Sequence, residues 1–298
     1  MSNRILSILA IATTVALTAL PATAAGEGET LRARVLITND NGIDDPKIVA
    51  LARAFAQRAE TWVVAPDRDR SGSGSYLSVT GTGSLSVERR ELGDGIEAFA
   101  VSGFPADCVL LALTGILADD LPDLVVSGIN GGPNLGAGWM FSGTVGAARV
   151  AALAGIPSLA VSGLDDDLPG AVESAVDWVV RLAESDAVRS LRPGEYLTAS
   201  LPRTSPSDIL GVRVADRAPP LEAPRLAADE SGATWHIVGM SETGFSVPED
   251  SDQAAYDAGY IAVVPMRVDE VDVESLSRWR RLGADLPDWA PDAAASRP

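Results

Sequence analysis

Between Ala33 and Ser162, short apolar runs alternate with stretches whose apolar positions recur every three or four residues. The runs Arg34–Thr38, Thr61–Ala65, Leu124–Ser127 and Ser158–Ser162 are short and rich in branched side chains. They predict strands buried on both faces, as in a parallel sheet. Between the first two, Ile48, Val49, Leu51, Ala52, Phe55 and Ala56 keep helical spacing behind Pro46, a residue suited to a first helical turn. Further helices are expected from Pro105 toward Leu117 and from Gly143 toward Ala154. Strand and helix in alternation indicate βαβ units. The segment Gly81–Val101 breaks that rhythm: apolar residues on either side of Gly93-Asp94-Gly95 predict a β-hairpin.

Beyond Ser162 the pattern loosens. A helix is expected over Ala171–Glu184, strands over Tyr196–Leu201, Gly211–Ala215, Trp235–Val238 and Tyr260–Val264, and a short helix over Val271–Arg281. The Pro-rich stretch Ala218–Pro224 reads as a linker or an extended arm. The chain is therefore expected to be α/β, with a mostly parallel sheet flanked by helices. One domain is assigned to residues 26–285, with a core of about 33–185 and a C-terminal extension of about 196–282, and the tail 286–298 is expected to be disordered.

The first residues have the pattern of an export signal: Arg4, an apolar run from Ile5 to Leu20, and small residues through Ala25. Residues 1–25 are assigned to it, and the mature protein to the periplasm. With 23 basic and 41 acidic residues the formal charge is −18, a field that repels polymeric nucleic acid and anionic membrane surfaces. A single cysteine, Cys108, excludes an internal disulfide, and its apolar helical setting suggests a buried structural thiol. A Cys-x5-Arg phosphatase loop is excluded, because the residue six positions on is Thr114. A single histidine, His236, sits in a strand pattern with no Gly-x-Ser-x-Gly elbow to partner it. Multi-histidine zinc sites are impossible, so any metal has to be held by oxygen.

Oxygen-bearing side chains gather in the loops that follow the predicted strands. Asn39-Asp40-Asn41-Gly42 ends the first strand, and two readings fit it: a hard-cation site, or an Asx-turn that caps the next helix. The loop Ala65–Gly74 sets Arg68, Arg70, Ser71 and Ser73 among glycines. It suits an oxyanion or a metal, or equally a solvated loop of Arg–Asp pairs. Ser127–Gly136 carries Asn130 and Asn134 in a glycine-rich crossover. In Phe141–Val145, Ser142 stands at a helix start, where capping and anion binding are compatible. Together these loops suit metal-assisted hydrolysis of a phosphate ester, with Asp40 and neighbouring oxygens holding Mg²⁺ or Mn²⁺.

These motifs resemble the SurE family of survival proteins: Asn-Asp-x-Gly, Ala-Pro-Asp-Arg-x-Arg-Ser-Gly, Val-Ser-Gly-Ile-Asn-x-Gly-Pro-Asn-Leu-Gly and Ser-Gly-Thr-Val. The match runs from about Val35 to Ser162. It resumes at Ser251–Tyr260 and Pro265, a segment similar to the family's later dimer-associated strand region. The resemblance implies a Rossmann-like core with a smaller β-rich extension that exchanges elements in homodimers or homotetramers. It implies a 5′/3′-nucleotidase and acid phosphatase acting on nucleoside monophosphates or other small phosphomonoesters, with one divalent metal ion per subunit. On the matching positions the metal falls to Asp40, Asn41, Ser71 and Asn130, with Asp40 and Asn41 also carrying the catalysis. Phosphate falls to Asn134, Ser142 and Thr144, with Gly72 in the same set.

Two departures stand out. The family has adjacent aspartates in the first loop where this chain has Asp40-Asn41, so the site loses one negative charge. Thr198-Ala-Ser-Leu-Pro202 replaces the family's Asn-x-Asn-x-Pro. The alternative to an enzyme is a nucleotide- or metal-binding protein of the same fold, impaired in turnover by Asn41.

Overall fold

The computed structural model describes residues 33–78, 83–164, 167–220, 222–269, 276, 278, 280 and 281. The export signal and the tail 286–298 lie outside the described residues. Of the helix expected over Val271–Arg281, residues 276, 278, 280 and 281 are helical, in a unit separate from the body that ends at Val268.

The buried apolar runs become adjacent parallel strands. β1 (Arg34–Thr38) pairs with β2 (Glu60–Pro66) on one side. Beyond β2 lie β4 (Ile96–Val101), parallel to it, and β3 (Val87–Arg90), antiparallel at the edge, which together form the expected hairpin. On its other side β1 pairs with β5 (Leu124–Ser127), followed in parallel by β6 (Ser158–Ser162) and β7 (Glu195–Ser200). β11 (Ile261–Arg267) then runs antiparallel to β7, and β8 (Val212–Val214) closes the sheet. Among the described residues, nine strands thus make one mixed, mostly parallel sheet.

Helices cover both faces, which is why β1 reads as an unbroken apolar run. Val35 and Ile37 pack with residues of α1 (Pro46–Ala56) and α4 (Ala171–Ala183), whereas Leu36 meets α2 (Pro105–Leu111) and α3 (Gly143–Leu153). Alternate residues of one strand therefore serve two cores. Cys108 lies fully buried in the second core, and burial pushes its thiol pKa up, so it is an inert structural residue. A short α5 (Asp186–Arg189) leads into β7.

Three expectations are corrected. The helix from Pro105 changes to a π turn over Ala112–Ile116, where the Thr114 hydroxyl donates to the Leu110 carbonyl in competition with the main-chain ladder. Of the two readings of the Pro-rich stretch, the extended arm holds and the linker does not: its end enters β9 (Glu222–Ala228), which pairs antiparallel with β10 (Trp235–Glu242), Pro224 lying opposite Met240. The segment Ser251–Tyr260 is not a strand. Its core is α6 (Asp252–Asp257), because the Ser251 hydroxyl accepts from Ala254 N at 3.2 Å and caps a helix, and only then does β11 begin.

Candidate functional site

The strand order reverses between β1 and β5, since β2 and β4 lie to one side of β1 and β5, β6 and β7 to the other. In an open α/β sheet the crevice beyond the strand carboxyl ends at such a reversal is where ligands bind. The loops after β1 and β5 leave from that point side by side, tied by Gly128 N donating to the Thr38 carbonyl at 2.8 Å.

In the first loop the duties are divided. Asn39, 1 % exposed, forms the turn: its amide nitrogen donates to the Gly42 carbonyl at 2.8 Å, and its Oδ1 accepts from Gly42 N at 3.2 Å. Helix α1 is capped by Asp45, whose Oδ1 accepts from Lys47 N at 2.7 Å. Neither Asp40 nor Asn41 is needed as a cap. Asp40, 2 % exposed, instead faces the start of α3: its Oδ1 accepts from Thr144 Oγ1 at 2.6 Å and its Oδ2 from Thr144 N at 3.1 Å. The positive end of α3 thus points at a buried carboxylate. Burial pushes the Asp40 pKa above the usual carboxylate value; the bonds from Thr144 oppose this and the charge of Asp69 adds to it. Asn41 Oδ1 is buried with no hydrogen-bond partner among the described residues. A buried carbonyl oxygen left so is costly unless something positive meets it.

The approach of α3 to Asp40 depends on Gly143. A Cβ there would lie 2.7 Å from Ser73 Oγ and 2.9 Å from Asp40 Cβ, so any other residue would push the helix end away. Ser142 caps this helix by accepting from Val145 N at 3.1 Å, as expected, and keeps its own hydroxyl proton for another acceptor.

The second loop is held at both ends. Arg70 N donates to the Asp40 carbonyl at 2.7 Å. At the far end the fully buried Asp107 in α2 accepts from Ser78 N at 2.8 Å, Ser78 Oγ at 2.7 Å and Phe104 N at 2.9 Å. Within it Ser71 donates to Asp69, and Gly72 occupies an exposed turn at φ +76°.

In the third loop Asn130 spends its amide nitrogen on the Gly132 carbonyl at 2.7 Å, which leaves Oδ1 as its available oxygen. The Asn134 amide donates to Ser162 Oγ at 2.6 Å, at the end of β6. The structure therefore joins Asp40 and Thr144 directly, sets Ser142 at the start of the same helix, leaves Asn41, Ser71 and Asn130 in the loops after β1, β2 and β5, and hangs Asn134 on β6. Both donors of Thr144 go to Asp40, so here Thr144 holds the carboxylate. Among the described residues no three His, Cys, Asp or Glu side chains converge, and His236 is exposed on β10. The oxygen donors these loops offer are one carboxylate, amide oxygens and a hydroxyl, all hard ligands in type.

Sequence reasoning missed Arg217 and Asp252, which brace the third loop. Arg217 Nη1 donates to the Asn134 carbonyl at 2.7 Å and to Asp252 Oδ2 at 2.9 Å, and Nη2 donates to Thr198 Oγ1 at 2.6 Å. Asp252 also accepts from Gly136 N and Ala218 N, each at 2.9 Å. Burial lowers the Arg217 pKa, and Asp252 holds it up. Asp252 lay within a segment singled out by its pattern, but nothing local pairs it with Arg217. Thr198, one of the two departures, has this arginine as its partner.

Residues 35–219 match the family model for survival protein SurE. The chain is 35 % identical over 257 residues to 5′-nucleotidase SurE 1 of Burkholderia lata, covering 83 % of this chain and 95 % of that protein. It is 38 % identical over 239 residues to 5′/3′-nucleotidase SurE of Yersinia enterocolitica, covering 79 % and 92 %. Among solved structures, the SurE protein of Aquifex aeolicus superposes with a TM-score of 0.71 at 30 % identity, covering 84 % of this chain and 99 % of that one.

Proposed function

Because the chain belongs to the SurE family of survival proteins, we propose that it is a metal-dependent nucleotidase hydrolysing nucleoside 5′- and 3′-monophosphates. The observation that carries the metal dependence is the buried, unpartnered Asn41 Oδ1 next to the buried Asp40 carboxylate at the strand-order reversal. The donor set fits Mg²⁺ or Mn²⁺, with Asp40, Asn41, Ser71 and Asn130 as the residues that hold it. When bound, a divalent cation supplies Lewis acidity to the phosphate and to the attacking water. The protein's own part is positioning. Thr144 fixes Asp40 in one orientation, while the Ser142 hydroxyl and the α3 N-terminus offer donors to phosphate oxygens, with Asn134 in the loop after β5 as a further phosphate contact.

Phosphate release from 5′-AMP and 3′-AMP, with and without Mn²⁺ or Mg²⁺, tests this reading. Release that requires the metal is expected. Asn41 favours one competing reading, a binding protein without turnover. Asn41→Asp separates the two: an already competent enzyme changes by less than about tenfold, well inside one transition-state interaction. A rise of orders of magnitude from near zero would place the native chain in the binding class.

We further place the protein in the periplasm on the pattern of residues 1–25, and as a homodimer or homotetramer on the β9–β10 hairpin. Leu226, Trp235, Ile237, Val238 and Met240 are all at least half exposed on that hairpin, a concentration of apolar side chains of the kind that marks an interaction surface. Leu226→Asp with Ile237→Asp is expected to reduce the mass found by light scattering to that of one chain. An unchanged mass would count against the hairpin as the interface.

A further inference from the structure

We propose that Asp69 supplies the negative charge that Asn41 lacks, acting through Ser71 as a positioning residue for the cation site. This rests on the metal-dependent reading of the same crevice.

Three observations carry it. Asp69 Oδ1 accepts from both Ser71 N at 2.8 Å and Ser71 Oγ at 2.7 Å. The Ser71 proton is thereby committed to a carboxylate, and the oxygen keeps its lone pairs for another partner. A hydroxyl donating to a carboxylate is also a more electron-rich ligand, the usual effect of an outer partner on a metal-binding group.

Next, the two arginines flanking Asp69 turn elsewhere. Arg68 pairs with Asp67 at 3.3 Å. Arg70 lies 3.7 Å from Asp67 Oδ1, donates to the Ser102 carbonyl at 2.8 Å, and stacks over Phe104. The loop does contain the Arg–Asp pairs expected of a solvated segment, but they form on Asp67. Among the described residues Asp69 has no cationic partner, so the charge behind Ser71 is not neutralised by a neighbouring arginine.

Finally, that charge reaches the site. Its loop is bonded to the Asp40 loop through Arg70 N, which donates to the Asp40 carbonyl at 2.7 Å, and Ser71 lies between the two. The site then has two carboxylates, Asp40 directly and Asp69 through Ser71, and their summed charge matches one divalent cation. Asp40 alone would leave half of that cation's charge unmet.

Mn²⁺ affinity of the full-length protein, read as free Mn²⁺ by electron paramagnetic resonance, tests the assignment. Asp69→Asn keeps an oxygen for Ser71 and removes only the charge; it is expected to weaken Mn²⁺ binding about 10- to 100-fold. Asn41→Asp combined with Asp69→Asn is expected to restore the wild-type affinity, since it returns the charge on the other loop. A merely structural role for Asp69 predicts no such rescue. Affinity unchanged in Asp69→Asn, with binding lost in Asp40→Ala, would overturn the role of Asp69 and leave the metal site standing. A wild-type protein that binds no Mn²⁺ would overturn both.

Discussion

Asp40→Asn will lose metal-dependent phosphate release and yet, freed of metal, melt at a higher temperature than the wild type at neutral pH. The loss follows from the site, because Asp40 is the one carboxylate that reaches the crevice directly from the reversal point. Its removal is expected to lower kcat/KM by at least about 1,000-fold, the upper range for deleting one electrostatic stabiliser in a closed site. The gain follows from burial. The folded-state pKa of Asp40 is raised, so the folded protein holds that proton more tightly than the unfolded chain does. The stability this contributes is present below the ordinary carboxylate pKa and is lost as pH rises through the raised one.

Above that window the metal-free wild type carries a buried charge whose main counterweights among the described residues are the Thr144 hydroxyl and amide at the end of α3. Asparagine keeps the hydrogen bonds, since the Thr144 hydroxyl can turn to accept from the new amide, and it carries no charge. Thermal melts in chelator from acid to neutral pH should show the two proteins together in acid and the variant ahead at pH 8. Added Mn²⁺ should raise only the wild type. A metal-free wild type that outlasts the variant at pH 8 would show that Asp40 is already compensated.

Asp252→Ala is expected to destabilise the protein by about 3–5 kcal/mol, as for breaking one side of a buried ion pair. The Asp252 side chain is 1 % exposed and that of Arg217 15 % exposed. Without Asp252 the guanidinium is left buried and unpaired, and the Gly136 and Ala218 amides lose their acceptor. The damage should also reach the site, because Arg217 holds the Asn134 carbonyl and Gly136 closes the same loop. Urea unfolding measures the first effect. Assays well below the new melting temperature measure the second, where a rise in KM for AMP is expected from a loosened Asn134. A variant as stable as the wild type would mean that the pair merely cancels its own desolvation.

How much of this was legible in the chain depended on distance along it. Strands β1, β2, β5 and β6 and helices α1 and α3 lay close to where the apolar spacing put them, since both faces of each strand had to be buried. The loops bearing Asp40, Ser71, Asn130 and Ser142 were visible because turn chemistry and helix caps are written within a few residues. The cap that Ser251 places on α6 is equally local, but the segment was read only through its resemblance to a strand region, so the helix before β11 was not expected.

Sequence alone thus determined the elements, the polar loops at their carboxyl ends and the excluded chemistries, because propensity, capping and composition act over short range. Tertiary structure alone decided that the strand order reverses beside Asp40 and that Asn41 Oδ1 has no partner among the described residues. It also decided that Arg217 meets Asp252 across 35 positions and that Asp67 rather than Asp69 takes the arginines. Those outcomes depend on which groups share a buried volume once the sheet has closed, and charge and hydrogen bonding are settled there by packing rather than by spacing along the chain.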